Sequence, residues 1–301
     1  MSFSIGPGFS IGAGFSITKP PVLMLSLDAA TYTSTTSGPQ QNVSGTSDNI
    51  GFFPYGWPAY GAIQPGWTCV QTGAVVTVVD GVNHVITTVG TPFTSGDTYT
   101  FTSANTWIDS VSNLPFVLYN GVTYSSGNGG SLVFDSASSQ YAQSSTSLSN
   151  LSTWSVESWY YYTGANTGAS PCIITEVYPG NTGAINYALG SLNDNNPGLM
   201  AGWYGGGWYM TPYTLTASNW YQIVGTYDGS HVNLYVNNVL VEQFASTGTS
   251  ISSNGGINLM RRWDNAEFQG GSLGIVKIWD GALGQSGVTA EWNANRSRFG
   301  L

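Results

Sequence analysis

WYQIVGTYDGSHVNLYVNNVLV, residues 220–241, is the stretch on which the architecture turns. Asp228-Gly229 lies between two runs of alternating apolar residues and supplies the left-handed turn of a hairpin. Val232, Leu234 and Val236 fall on one side of the second strand, and Asn233, Tyr235 and Asn237 on the other. Asn237-Asn238 then turns the chain again. Two tight turns so close together predict an antiparallel meander with one buried face.

Outward from this hairpin the pattern continues. From Asn105 to the C-terminus, short strand-like runs alternate with turn clusters at the roughly 8–12-residue spacing of an all-β sandwich. One segment has helical spacing, Ser286–Asn295, with Val288, Trp292 and Ala294 as its apolar positions. Far upstream, VLMLSLDAA (22–30) reads as a buried strand ending in a polar turn. Between them, Thr35 to Asp48 is rich in Ser, Thr, Gly, Asn and Gln, and 52–67 is aromatic with Pro and Gly. Strand-like runs follow at Thr68–Val79, Asn83–Val89 and Thr98–Thr102, with a hairpin signal at Asp80-Gly81. Residues 35–104 are therefore expected to form a small inserted β-module.

The first residues are a repeat of period six, FSIGPG (3–8), FSIGAG (9–14) and FSI (15–17), closed by the stiff break Lys19-Pro20-Pro21. Phe3, Ile5, Phe9, Ile11, Phe15 and Ile17 have strand spacing and no core of their own. Residues 1–19 are expected to act as an extended docking arm on the body, a sister chain or another protein. The alternative is a disordered tail.

Composition excludes several classes of function. Only 7% of the 301 residues are charged, against about 25% in average domains, and the net charge is −9. No Lys or Arg occurs from Pro20 to Met260. Without clustered cations, neither nucleic acid nor an anionic membrane is a partner. No window approaches the ~20 apolar residues of a membrane helix. The N-terminus lacks the cationic start and apolar run of a secretory signal, so a route outward is expected to be without a Sec-type leader, lysis of a host cell being one such route. Cys69 and Cys172 have no metal-type spacing and are either one disulfide or two buried thiols.

Several segments, in order, resemble the laminin G-like jelly roll of the concanavalin A-like lectin/glucanase family. GGSLVFDS (129–136) and QYAQ (140–143) are similar to its "FDG…DYV" strand pair. WSVESWYYY (154–162) is similar to its central "FTVEAWVY" strand, and 220–241 to its "W…VVGTYDGS…LYVNGVLV" hairpin. FQGGSLGIVKIWDGAL (268–283) resembles its closing strand, LSLDAA (25–30) its opening strand and Thr106-Trp107-Ile108-Asp109 its "WTD" segment. The resemblance implies an all-β jelly-roll β-sandwich built from 20–34 plus 105–301, with 35–104 inserted. The sequence departs from the pattern at Ser136 and at Gln140, where the family has Gly and Asp, which puts calcium binding through such loops in doubt.

Catalysis on this fold resembles the glucanase pattern, with carboxylates on one strand as E-x-D-x-E, and retaining glycosidases hold them about 5–5.5 Å apart. That motif is absent, and Glu157 and Glu176 stand alone in separate strands. Glu157 is expected to face solvent or a hydrogen-bonded pocket. The chain is therefore not read as an enzyme, and no cofactor is implied. His84 and His231 lack a nucleophile partner and read as turn or strand residues. The loop Asn193–Asn196 offers hard oxygens, but Asp194 is its one carboxylate, little charge for calcium.

Trp203, Tyr204, Trp208 and Tyr209 lie in a Gly-rich loop, with Tyr178 and Tyr213 near in sequence. Such rings stack on sugars, or else fill the core or a subunit contact. Arg261-Arg262-Trp263-Asp264, with Glu267, fits an ion-pair network at a subunit contact and equally a site for a carboxylate-bearing sugar. The Gly-rich Phe/Ile repeat, the LSLDAA opening and the jelly roll together resemble tail, fibre and head-decoration proteins of bacterial viruses, cyanobacterial ones especially. That second resemblance implies a homo-oligomeric virion structural protein, located on the virion surface and contacting other virion proteins and host glycans. The alternatives are a secreted or cell-surface carbohydrate-binding adhesin and a glycoside hydrolase of the glucanase superfold.

Overall fold

The computed structural model describes residues 20–32, 41–45, 50–52, 68–69, 75–80, 85–89, 98–102, 106–148, 151–168, 171–176, 187–191, 197–201, 209–246 and 255–301. The arm at 1–19 lies outside them. The first strand, β1 (Val22–Asp28), runs into a 3-10 turn at Ala29–Thr31. Asp28 Oδ1 accepts from the Ala30 N–H at 2.8 Å, which caps that turn.

Six strands follow: β2 (Gln41–Gly45), β3 (Ile50–Phe52), β4 (Thr68–Cys69), β5 (Val75–Asp80), β6 (Val85–Val89) and β7 (Thr98–Thr102). They close into a barrel in the order β2-β3-β6-β5-β4-β7. Asp80 pairs with Val85, so β5 and β6 are antiparallel neighbours, while Gly81 of the hairpin signal lies outside the described residues. The expected single run Thr68–Val79 is two strands. The stretch from Thr35 to Asp48, read from its composition as polar, contains β2. Composition is a poor guide here, because strand preference reflects side-chain neighbours rather than the backbone itself.

The remainder comprises β8 (Thr106–Ile108), β9 (Pro115–Tyr119), β10 (Thr123–Ser125), β11 (Ser131–Phe134), β12 (Tyr141–Ser144), β13 (Trp154–Asn166), β14 (Cys172–Glu176) and β15 (Tyr187–Ser191). It continues through β16 (Pro197–Ala201), β17 (Tyr209–Met210), β18 (Asn219–Tyr227), β19 (His231–Val236), β20 (Val239–Ala245), β21 (Ile257–Leu259) and β22 (Gln269–Asp280). One sheet has the order β10-β11-β22-β13-β18-β19-β20, with β1 also paired to β22. The other has the order β17-β16-β15-β14-β21-β12-β9-β8. Two antiparallel sheets of this kind form the sandwich expected of a concanavalin A-like jelly roll.

The core lies between the sheets. Trp154, Val156, Tyr160 and Tyr162 point inward from β13, and Ile223 and Val276 from its neighbours. Phe116, Ala142, Ile174, Leu189 and Leu259 meet them from the second sheet. Tyr160 satisfies its hydroxyl on the Gly270 carbonyl at 2.7 Å, as a buried phenol must. Gly271 takes φ 136°, and a Cβ there would lie 2.3 Å from the Tyr161 carbonyl oxygen. β22 can therefore pass close to β13 only without a side chain at that point.

The helix is α1 (Gln285–Asn295), followed by a 3-10 turn at Arg296–Phe299. Val288 and Trp292 face the protein as expected, but Ala294 is exposed. The helix lies on the outer face of the first sheet: Trp159 stacks on Trp292 (5.7 Å, 14°) and on Phe299 (4.8 Å, 19°). This third layer corrects the reading of the 220–241 meander. Val232, Leu234 and Val236 are in the core, but Tyr235 is only 5% exposed, packed with Val224, Val288 and Leu283 on the opposite side. The turn residues behave as read, with positive φ at Gly229, Asn237 and Asn238.

Candidate functional site

The two glutamates weighed for catalysis are far apart in the fold. Glu157 lies on the outer face of β13, opposite Lys277 of β22, and Glu176 lies on β14 of the other sheet. Glu157 occupies the hydrogen-bonded pocket, not solvent. It is fully buried beneath α1, and its Oε1 accepts from Trp159 Nε1 at 3.0 Å and from Gln222 Nε2 at 2.7 Å. Burial and then the Glu291 carboxylate push its pKa up to about 7, against the pull of Gln222, Lys277 and Trp159. Lys277 itself is held by Glu291 at 2.6 Å. Glu157 thus has the proton affinity of a general acid but no opening through which a substrate oxygen could reach it.

The turn after β21 separates two adjacent arginines. Met260 takes φ 62°, and the chain then reverses between Arg262 and Glu267, where the Arg262 N–H donates to the Glu267 carbonyl at 2.9 Å and Arg261 bridges to Phe268. Arg262 turns outward, to Asp264 at 2.6 Å and to Glu267. Its guanidinium, hydrogen-bonded to Asp264, holds that carboxyl below its usual range. These ion pairs of the segment close within the chain itself. Arg261 turns the other way, into the outer face of the second sheet. Its guanidinium carbon lies 3.6 Å from the Tyr141 ring centre, and its Nη2 donates to Asn258 Oδ1 at 3.0 Å. Tyr141 in turn stacks on Tyr119 (4.4 Å, 9°). Sequence reasoning did not separate Arg261 from Arg262, since the partner that distinguishes them, Tyr141, lies on another strand.

Of the aromatic set, Trp203, Tyr204 and Trp208 lie outside the described residues, as does Tyr178. Tyr209 is half-buried in β17. Its ring packs on Phe244 at 5.2 Å, and its hydroxyl donates to Ser246 Oγ at 3.0 Å. Tyr213 sits edge-on to Tyr221. These two rings join elements of the sandwich.

The departure at Gln140 has a structural account. Its Nε2 donates to the carbonyls of Asn120 and Gly121, both at 3.0 Å, and its Oε1 accepts from the Asp135 N–H at 2.8 Å. An aspartate could not donate to those carbonyls. Asp109 of the Thr106–Asp109 segment is buried and accepts from the N–H groups of Ser26, Val111 and Ser112, which ties β1 to the second sheet. Asp194 and His84 lie outside the described residues. His231 Nδ1 is 2.8 Å from Ser230 Oγ beside Asp228. Among the described residues, no three His, Cys, Asp or Glu side chains converge as a metal site, and no helix is long and apolar enough to cross a membrane. Cys172 is fully buried, and that burial pushes its thiol pKa well up. The side chain of Cys69 lies outside the described residues.

Comparison with known proteins places this geometry. Two solved structures share the fold: the binding domain of botulinum neurotoxin serotype G (TM-score 0.50, 13% identity) and that of Paraclostridial Mosquitocidal Protein 1 (TM-score 0.50, 16% identity). The matches cover 63% and 62% of this chain and 49% of each of those, so the chain spans about half their length. Domain 4 of AbnA, an extracellular arabinanase from Geobacillus stearothermophilus solved with arabinotriose, is similar at TM-score 0.48 and 19% identity, over 60% of this chain and 90% of that domain. No curated protein matches the chain. A laminin G-type family profile, described as the concanavalin A-like lectin/glucanases superfamily, matches residues 135–289. That span is just over half of the 301 residues, and the chain belongs to the concanavalin A-like lectin/glucanase superfamily.

Proposed function

We propose that this chain is a non-catalytic structural component of a virion surface, of the fibre or decoration type, whose jelly roll contacts glycans on a host. The observation that carries the non-catalytic part is the commitment of five carboxylates among the described residues. Glycoside hydrolysis needs an accessible pair, one of them protonated. Glu157 has a pKa raised to about 7 but is sealed under α1. Asp264 and Glu267 converge, but with Arg262 between them, which favours ionised Asp264. Asp28 is paired with Arg298 and Glu291 with Lys277.

The virion part rests on the sequence. Six large apolar residues recur in the arm at 1–19, and trypsin has no cleavage site from Pro20 to Met260, which suits a particle exposed to proteases. The arm would bind sister chains or other virion proteins. The test is the native mass of the full chain and of the chain lacking 1–18, by light scattering. A trimer or larger assembly that dissociates without the arm is expected. A monomer in both forms would overturn the docking role and favour a free adhesin.

A further inference from the structure

Four cations among the described residues are wholly or partly buried, and three of them have a carboxylate. Arg262 has Asp264 and Glu267, Lys277 has Glu291, and Arg298 has Asp28. The fourth, Arg261, is the most deeply buried, at 6% exposure, and has no carboxylate partner among the described residues. Its Nη2 has the neutral Asn258 Oδ1, and its face has the Tyr141 ring. Its Nε, itself closed to solvent, has no acceptor among the described residues. A guanidinium removed from water is expensive unless an anion or a full set of acceptors replaces the solvent. A ring and one amide oxygen replace only part of it.

We propose that Arg261 is the receptor for the carboxylate of an acidic sugar bound on the outer face of the second sheet. The proposal rests on the glycan-contact part of the function above and names its ligand class. Arginine suits the task because its planar fork matches a carboxylate, as a lysine does not. The neighbouring side chains suit a sugar. Tyr141 pairs with Tyr119 across β12 and β9, and two residues along the same face Gln143 pairs with Val117 on one side and Asn258 on the other. Strands about 4.8 Å apart and residues about 6.7 Å apart on one face make this patch the size of a sugar ring. Tyr119, Tyr141, Gln143 and Val117 are all partly exposed, and the Gln143 amide makes no hydrogen bond among the described residues. The patch thus combines an aromatic edge, an unused amide and a cation. Arg262 beside it is already held by Asp264 and Glu267, so Arg261 is the cation of this patch left to take an anion.

The test is calorimetric titration of the full chain with trigalacturonate, with its methyl ester and with 3′-sialyllactose. Binding of one of the acids is expected, weaker by about tenfold or more in the methyl ester or in Arg261→Gln, as for loss of a charge-assisted hydrogen-bond pair. Near-UV circular dichroism establishes that the variant is folded. If Arg261→Gln does not fold, Gln143→Ala and the methyl ester carry the test, with a weakened titration expected for each. Acid and ester binding alike, or an undiminished titration in folded Arg261→Gln, would overturn the Arg261 receptor while leaving glycan contact standing. So would a neutral glycan bound on an array with neither acid bound. Silence towards both acids and towards the array would overturn both.

Discussion

The two faces of the first sheet are buried alike and built differently. Val156 and Glu157 are consecutive residues of β13, both at 0% exposure. Val156 enters the core among apolar neighbours. Glu157 enters a polar layer with Gln222 and Lys277, roofed by α1 and the rings of Trp292 and Phe299. Glu157 Oε2 and Gln222 Oε1 both lack a donor among the described residues, so two acceptors are buried together. A proton on Glu157 supplies a missing donor, which agrees with its raised pKa. Val156 thus has no group to titrate and Glu157 does, although a burial profile alone would rank them equal.

The largest effect expected is on the inner face. Trp154→Ala should cost about 3–5 kcal/mol, equally at pH 5 and pH 8, in urea denaturation. A pH-dependent cost would break the distinction between the faces. Next is the outer face. The folded pKa of Glu157 lies above its unfolded value of 4.5, so the native state holds its proton more tightly. Its contribution is full below pH 4.5, falls as pH rises towards about 7 and is level above. The fall should total about 3 kcal/mol, and Glu157→Gln should flatten the profile between pH 5 and 8. A wild-type stability that rises through this window would refute the assignment. Asp264, held low by Arg262, acts in the opposite sense, its contribution lost as pH falls through its depressed value. Arg298→Ala removes bonds to Asn128, Asp28 and Gly130 and should cost about 1–3 kcal/mol by the same assay. Smallest is Val239→Ser at a site 61% exposed, expected within about 0.5 kcal/mol and marking the baseline for both faces.

What was legible in the sequence was local. The turns at Asp228-Gly229 and Asn237-Asn238 and the inward set Val232, Leu234 and Val236 were each decided within a few residues. The helix was placed within one residue, because Val288 and Trp292 have its spacing. What escaped was decided by remote partners. Tyr235 and Glu157 are buried because α1 crosses them from over 50 and over 120 residues downstream. Arg261 and Arg262 are neighbours whose environments diverge because Tyr141, on β12, takes one of them. Gln140 was visible as a departure, but not as a brace between two carbonyls.

The Arg298 contact has a mechanical consequence. β1 pairs with β22 from Val22 opposite Asp280 to Asp28 opposite Ile275. Arg298 grips Asp28, at the far end of that strand from Val22. A pull applied between Val22 and Leu301 therefore runs along β1 rather than across it. Under such shear the pairs of the β1–β22 ladder are loaded together, whereas a pull across the strand would open them one at a time. Tension transmitted through this domain meets the sheet in its stiffer direction.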